Sequence, residues 1–124
     1  MSSSSQRVVI VGASDKPHRY SHRAQLLLSQ HGHKVVPVHP KLASINGVFV
    51  VPDLSEVTGA VDTVTMYVGP DISKGLSEKL IALKPGRVIF NPGSENPELQ
   101  EKLTAAGIEV EEACTLVMLN TGQF

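Results

Sequence analysis

The chain contains a single cysteine, Cys114, so it can close no internal disulfide and offers no thiolate cluster for a structural zinc. Tryptophan is absent and only 4% of residues are aromatic, which argues against a platform for stacking nucleic-acid bases. Neither sign of charge dominates: 11 Lys and Arg stand against 12 Asp and Glu, interspersed and without a basic block. That balance excludes both a nucleic-acid footprint and a basic membrane-surface patch. No apolar run approaches the roughly 20 residues that a membrane-spanning helix needs. Residues 1–5 lack the charged and apolar regions of a signal peptide and are expected to be a disordered leader on a cytoplasmic protein. Residues 6–124 read as one domain, large enough for a core and too short for separate cofactor and substrate domains.

What the chain does have begins at Arg7-Val8-Val9-Ile10-Val11, a β-branched run that stops at Gly12 and continues through Ala13, Ser14, Asp15, Lys16 and Pro17. The run is too short for a buried helix and reads as a parallel strand covered on both faces. Gly12 permits a sharp turn and close approach of a ligand, and the helix that follows offers unpaired N–H groups to an anion. A full dinucleotide fingerprint would add two further glycines, which Ser14 and its neighbours do not supply.

The same alternation continues. Ser21 is the expected cap of a helix through Leu28 that stops at His31-Gly32, and Lys34–Val38 is a second strand in which Pro37 signals an edge or a bulge. Residues 45–50 read as a short strand or an irregular excursion, and Asp53–Val57 as a helical turn. A third strand spans Val61–Val68, and one helix is expected over Ile72–Leu83. Arg87–Phe90 is a fourth strand, Asn96-Pro97 opens a helix that Gly107 stops, and Ile108–Val110 is the last strand. Ala113–Leu119 is expected to cover the sheet as a short apolar segment, whose residues 116–119 could equally cover a second copy in a homo-oligomer. Strands alternating with helices imply an α/β fold, a mainly parallel sheet with helices on both faces in three layers. In such a sheet ligands bind outside the carboxyl ends of the strands. Gly12-Ala13-Ser14, His39-Pro40-Lys41, Gly69-Pro70 and Asn91-Pro92-Gly93 should therefore lie together.

A nicotinamide-dinucleotide site carries an acid near the end of its second strand, for the ribose hydroxyls. Here Val38-His39-Pro40-Lys41 stands in that place. A lysine suits a phosphorylated ribose, which leaves coenzyme A with its 3′-phosphate and an NADP-like ligand with its 2′-phosphate.

Taken in order, Val11–Pro17, Gly32–Pro40 and Asn91–Asn96 resemble the small stand-alone CoA-binding domain proteins, which are similar to the nucleotide-binding domain of the succinyl-CoA synthetase α-subunit. The likeness runs from about Gln6 to the C-terminus and implies a Rossmann-like fold that binds CoA or an acyl-CoA. It implies that Gly12, Ala13 and Ser14 hold the pyrophosphate, with Lys16 and Arg19 on nearby phosphate oxygens. By the same resemblance Val38, Pro40 and Lys41 flank the adenine and the 3′-phosphorylated ribose. Val68, Gly69 and Pro70 line the channel, and Asn91, Pro92 and Gly93 lie toward the pantetheine arm. The synthetase's phosphorylated histidine belongs to a further domain, so its ligase activity does not carry over.

No catalytic set is legible. Five histidines lack convergent acid or cysteine partners for a metal, and Ser14 sits outside a G-x-S-x-G elbow. Cys114 reads as a buried small hydrophobe, with a mixed disulfide to the CoA thiol as the sharper alternative. Glu109, Glu111 and Glu112 read as a solvated acidic edge. The expected function is ligand binding without catalysis; an NADP-dependent reductase and a regulatory or scaffold subunit with a vestigial pocket are the alternatives.

Overall fold

The computed structural model describes residues 5–124, so the expected leader lies outside the described residues except for Ser5, whose hydroxyl donates to the Gly32 carbonyl at 2.7 Å. Five parallel strands form the sheet: β1 (Arg7–Val11), β2 (Lys34–Val38), β5 (Thr63–Met66), β6 (Arg87–Phe90) and β7 (Glu109–Glu112), in the order β2-β1-β5-β6-β7. The chain steps from β1 outward to β2, then returns past β1 to β5. The order of strands therefore reverses between β1 and β5, and crevices in parallel sheets open at such a point.

Each layer follows from the period of two along a strand. Val8 and Ile10 pack with Leu28 of α1 (Tyr20–Gln30) and Leu119 of α5 (Thr115–Asn120). Val9 and Val11 face the opposite core, with Leu80 of α3 (Ser77–Leu83) and Leu99 and Leu103 of α4 (Pro97–Ala105). All four β1 side chains from Val8 to Val11 are 5% exposed or less, as a strand covered on both faces requires. The α/β reading with helices on both sheet faces holds.

Several local expectations hold to the residue. Pro37 lies in the edge strand β2, and β1, β2 and β6 have the expected bounds. The Asn96 side chain accepts from the Leu99 amide at 3.2 Å with Pro97 at the first helical position, and Gly107 ends that helix at φ +85°. Others need correction. Helix α1 starts at Tyr20 with Arg19 as its cap, so Ser21 sits buried inside the first turn and caps nothing. The single helix expected over 72–83 is two, α2 (Pro70–Ser73) and α3. The chain breaks at Gly75 and turns Leu76 inward onto the core, which a continuous helix through a glycine would not favour. The third strand is shorter than expected at both ends, and the last starts one residue later and runs to Glu112. The apolar tail is the helix α5, in which Thr115, Met118 and Leu119 are buried and Val117 is 57% exposed. Glu111 is no part of a solvated edge: it is half-buried, 3.5 Å from the Arg87 guanidinium in an ion pair without hydrogen-bond geometry.

Residues 44–49 form a hairpin, β3 (Ser44–Ile45) and β4 (Val48–Phe49). Asn46 and Gly47 both take positive φ, 51° and 78°, the two-residue turn whose twist matches paired strands. Beyond it Val51 lies against the free edge of β2, donating to the Pro37 carbonyl at 2.9 Å and accepting from His39 at 3.1 Å. That contact brings Pro52–Leu54 back to the sheet end.

At the opposite end of the sheet His33 packs on the Phe124 ring, 5.1 Å between centroids, and its Nδ1 accepts from the Gln6 amide at 3.0 Å. Burial, followed by the charges of His31 and Arg87, lowers its pKa from the ordinary value near 6.5. The unfolded chain then binds the proton more readily than the folded one. The stability this neutral ring contributes is full above pH ~6.5 and is lost as pH falls through the lowered folded value. Melting temperature followed from pH 8 to pH 5 should fall on the acid side, and H33Q should flatten that limb. An unchanged slope in H33Q would remove His33 from the account.

Candidate functional site

A cleft of about 960 Å³ opens at the carboxyl ends of β1, β2, β5 and β6. Gly12, at φ +89°, begins its floor: a Cβ there would lie 2.9 Å from Val68 Cγ1 and 3.1 Å from the Tyr67 carbonyl carbon, so only glycine lets the β1 turn lie against the end of β5. The Ala13 amide donates to the Val38 carbonyl at 3.3 Å, and the Lys16 amide donates to Ser14 Oγ at 3.1 Å. The amides of Gly12, Ser14 and Asp15 have no acceptor among the described residues. Since backbone N–H groups are obligatory donors, three of them on residues that border the cleft are free to donate to a bound acceptor.

Around this turn stand the exposed cations Lys16, Arg19 and Lys41. His39 shapes the loop that carries Lys41, its Nδ1 accepting from the amides of Lys41 and Leu42 at 3.0 and 3.2 Å, so its ring proton sits on Nε2. Asp53 brings negative charge to the same cleft but is engaged by Lys79 of α3 at 2.7 Å and by Ser55. The Lys79 ammonium, with help from Ser55, holds its carboxyl down at about 2. The far wall is Pro92-Gly93-Ser94, in a turn with Gly93 at φ +93° and the Ser94 amide donating to the carbonyl of the preceding Asn91 at 2.9 Å. Proline followed by a left-handed glycine is the signature of a type II turn.

Of the sequence-predicted residues, Gly12, Ala13, Ser14, Lys16, Arg19, Val38, Pro40, Lys41, Val68, Gly69, Pro92 and Gly93 all border this cleft. Two do not. Pro70 is the first residue of α2 and borders a separate groove of about 220 Å³ with Lys74 and Lys102. Asn91 is 2% exposed and its side chain is fully engaged with Thr65, Met66 and Thr115, beneath the cleft and not in it. Ala13 is at the cleft with its amide already committed, leaving Gly12, Ser14 and Asp15 as the open donors.

Sequence reasoning missed Asp15, Tyr20, Ser21, Leu42, Pro52, Asp53, Leu54, Tyr67, Ile72, Leu76 and Ser94. The Asn46-Gly47 pair between β-branched residues was the available sign that residues 44–49 form a hairpin and that 52–54 return to the sheet. Tyr67 turns its hydroxyl inward beside the Thr65–Thr115 pair without a partner of hydrogen-bond geometry, and burial pushes its pKa up to about 12. Cys114 caps α5 half-buried and does not border the cleft, so it is neither the buried hydrophobe nor a cleft thiol. Among the described residues, no three His, Cys, Asp or Glu side chains converge as a metal site, and no helix is long and apolar enough to cross a membrane.

The model of the family described as CoA binding domain matches residues 6–120. A crystal structure described as an uncharacterized protein is 40% identical with a TM-score of 0.93, covering 98% of this chain and 100% of its own. Uncharacterized protein YneT of Bacillus subtilis (strain 168) is 28% identical over 103 residues, covering 83% of this chain and 76% of its own. The dinucleotide forming acetyl-coenzyme A synthetase 1 of Ca. Korarchaeum cryptofilum, in complex with phosphate and ADP, shares the fold at 22% identity and a TM-score of 0.75, over 87% of this chain and 25% of the synthetase.

Proposed function

The chain belongs to the CoA-binding domain family, and from that premise we propose that its cleft binds coenzyme A or an acyl-CoA, without catalysis of its own. The observation that carries the reading is the meeting, at one sheet end, of three open amides with a lysine where dinucleotide enzymes keep an acid. The Gly12, Ser14 and Asp15 amides take the diphosphate, assisted by Lys16 and Arg19. Lys41 takes the 3′-phosphate, with Val38 and Pro40 against the adenosine. Val68 and Gly69 line the path between them, and Pro92 and Gly93 border the pantetheine. Asp53 does not oppose the anion, because Lys79 neutralises it. The protein acts in the cytoplasm as a ligand-holding module.

Ligand-dependent melting tests this directly, since a ligand that binds the folded state raises the midpoint according to its affinity. CoA and acetyl-CoA should raise it and NAD should not. A larger shift with NADP than with CoA would favour the reductase, and no shift with any nucleotide would favour the scaffold. Lys41→Ala should weaken CoA about tenfold or more, the worth of one charge-assisted contact to phosphate, while 3′-dephospho-CoA binds as before. Titration calorimetry of both ligands reads the difference, and equal losses would take Lys41 off the 3′-phosphate.

A further inference from the structure

We propose that His22 is a positioning residue for the diphosphate loop, an inference that rests on the CoA reading and adds what holds the loop in its binding shape. His22 is on α1 and only 6% exposed. Its Nδ1 lies 2.9 Å from the Ser14 carbonyl oxygen. A carbonyl can only accept, so the ring proton is on Nδ1, and Nε2 accepts from Asn46 Nδ2 at 3.2 Å. Asn46 sits at the hairpin turn, and Gln25, one turn further along α1, donates to the neighbouring Ile45 carbonyl at 3.1 Å. One buried imidazole thus joins the loop after β1, the first crossover helix and the β3–β4 hairpin.

The consequence follows from the geometry of a single peptide group. In a planar trans peptide the C=O and the next N–H point in opposite directions. By drawing the Ser14 carbonyl inward, His22 turns the Asp15 N–H away from α1 and toward the cleft that Asp15 borders. Without the imidazole donor this peptide is free to rotate and present its oxygen to the cleft, where it would repel a diphosphate. His22 touches no ligand; it sets the sign of the dipole that does.

Two variants separate the donor from the bulk. H22N keeps an N–H near the position of Nδ1, and H22L fills similar space with none. Calorimetric titration should show H22L weaker by about tenfold for CoA and, equally, for 3′-dephospho-CoA, the loss of one oriented amide contact to a charged group. H22N should stay within about threefold of wild type on the same scale. A long-range ¹H–¹⁵N spectrum of the ligand-free wild type should report His22 as the Nδ1–H tautomer. That reading holds the proposal to account even if H22L fails to fold. Folded H22L that binds CoA as tightly as wild type, or an Nε2–H tautomer, would overturn the positioning role alone. Wild type that binds neither ligand would overturn the CoA reading, and this role with it.

Discussion

Gly12→Ala should melt well below wild type and lose measurable affinity for CoA. At φ +89° the new side chain incurs the left-handed penalty of an L-residue, about 1–2 kcal/mol. Its Cβ would also stand 2.9 Å from Val68 Cγ1 and 3.1 Å from the backbone of Tyr67. Backbone does not yield as a flexible side chain does, so β1 and β5 must separate at the cleft, at a further cost of about 1–3 kcal/mol. The sum of these, about 2–5 kcal/mol, corresponds to a fall of roughly 10–20 °C in a chain of this size. Parting the strands also moves the Gly12 amide away from those of Ser14 and Asp15, and so breaks the concerted grip on a diphosphate that the proposed function assigns to them. Gly32→Ala is the internal control, because Gly32 has a similar φ of +86° and nothing within 4 Å of the added carbon. It should lower the melting temperature by less and leave CoA affinity unchanged. Equal binding by G12A and G32A would detach the β1 turn from ligand recognition.

Asn91→Ala should destabilise the fold strongly while leaving the affinity of the remaining folded protein nearly intact. The Asn91 amide nitrogen donates to Thr65 Oγ1 at 2.7 Å and to the Met66 carbonyl at 2.9 Å, and its oxygen accepts from the Thr115 amide at 2.8 Å. One side chain therefore fastens the end of β5 and the start of α5 to the end of β6. Truncation leaves a buried carbonyl and a buried amide unpaired, and each unsatisfied group costs about 1–3 kcal/mol. Chemical denaturation should show a loss of about 2–6 kcal/mol on that basis. Asn91→Asp should fare little better, because the new oxygen would face the Met66 carbonyl with no proton to donate. The resemblance had set Asn91 toward the pantetheine arm. A variant of near-native stability that no longer binds CoA would restore Asn91 to that role.

The contrast between Asn91 and its neighbours shows how far sequence could go. Pro92 and Gly93 were legible as a turn because proline and glycine carry their backbone preferences with them, and both border the cleft. Whether the preceding asparagine faces ligand or core depends on where Thr65 and Thr115 fall in space, which no local pattern records. The buried strands were legible for the same local reason: a β-branched run such as Val8–Val11 fits a sheet covered on both sides. Asn96-Pro97 and Gly107 marked α4 because caps act within a few residues. The stretch between β2 and β5 resisted, since its course is set by the Val51 pairing with the edge of β2 and by Ile45 in the core, contacts between parts of the chain with weak patterns of their own. The break between α2 and α3 has a similar cause: Leu76 gains more by turning onto the core than by continuing a helix across Gly75. Tertiary packing decided these elements, and they supply the missed wall of the cleft, Pro52, Leu54, Ile72 and Leu76.

The most direct measurement is a crystal structure of the chain soaked with CoA. The diphosphate should lie within hydrogen-bond distance of the Gly12, Ser14 and Asp15 amides, with the 3′-phosphate beside Lys41 and the pantetheine running past Pro92 and Gly93. A CoA diphosphate seated elsewhere, or a 3′-phosphate remote from Lys41, would contradict the account.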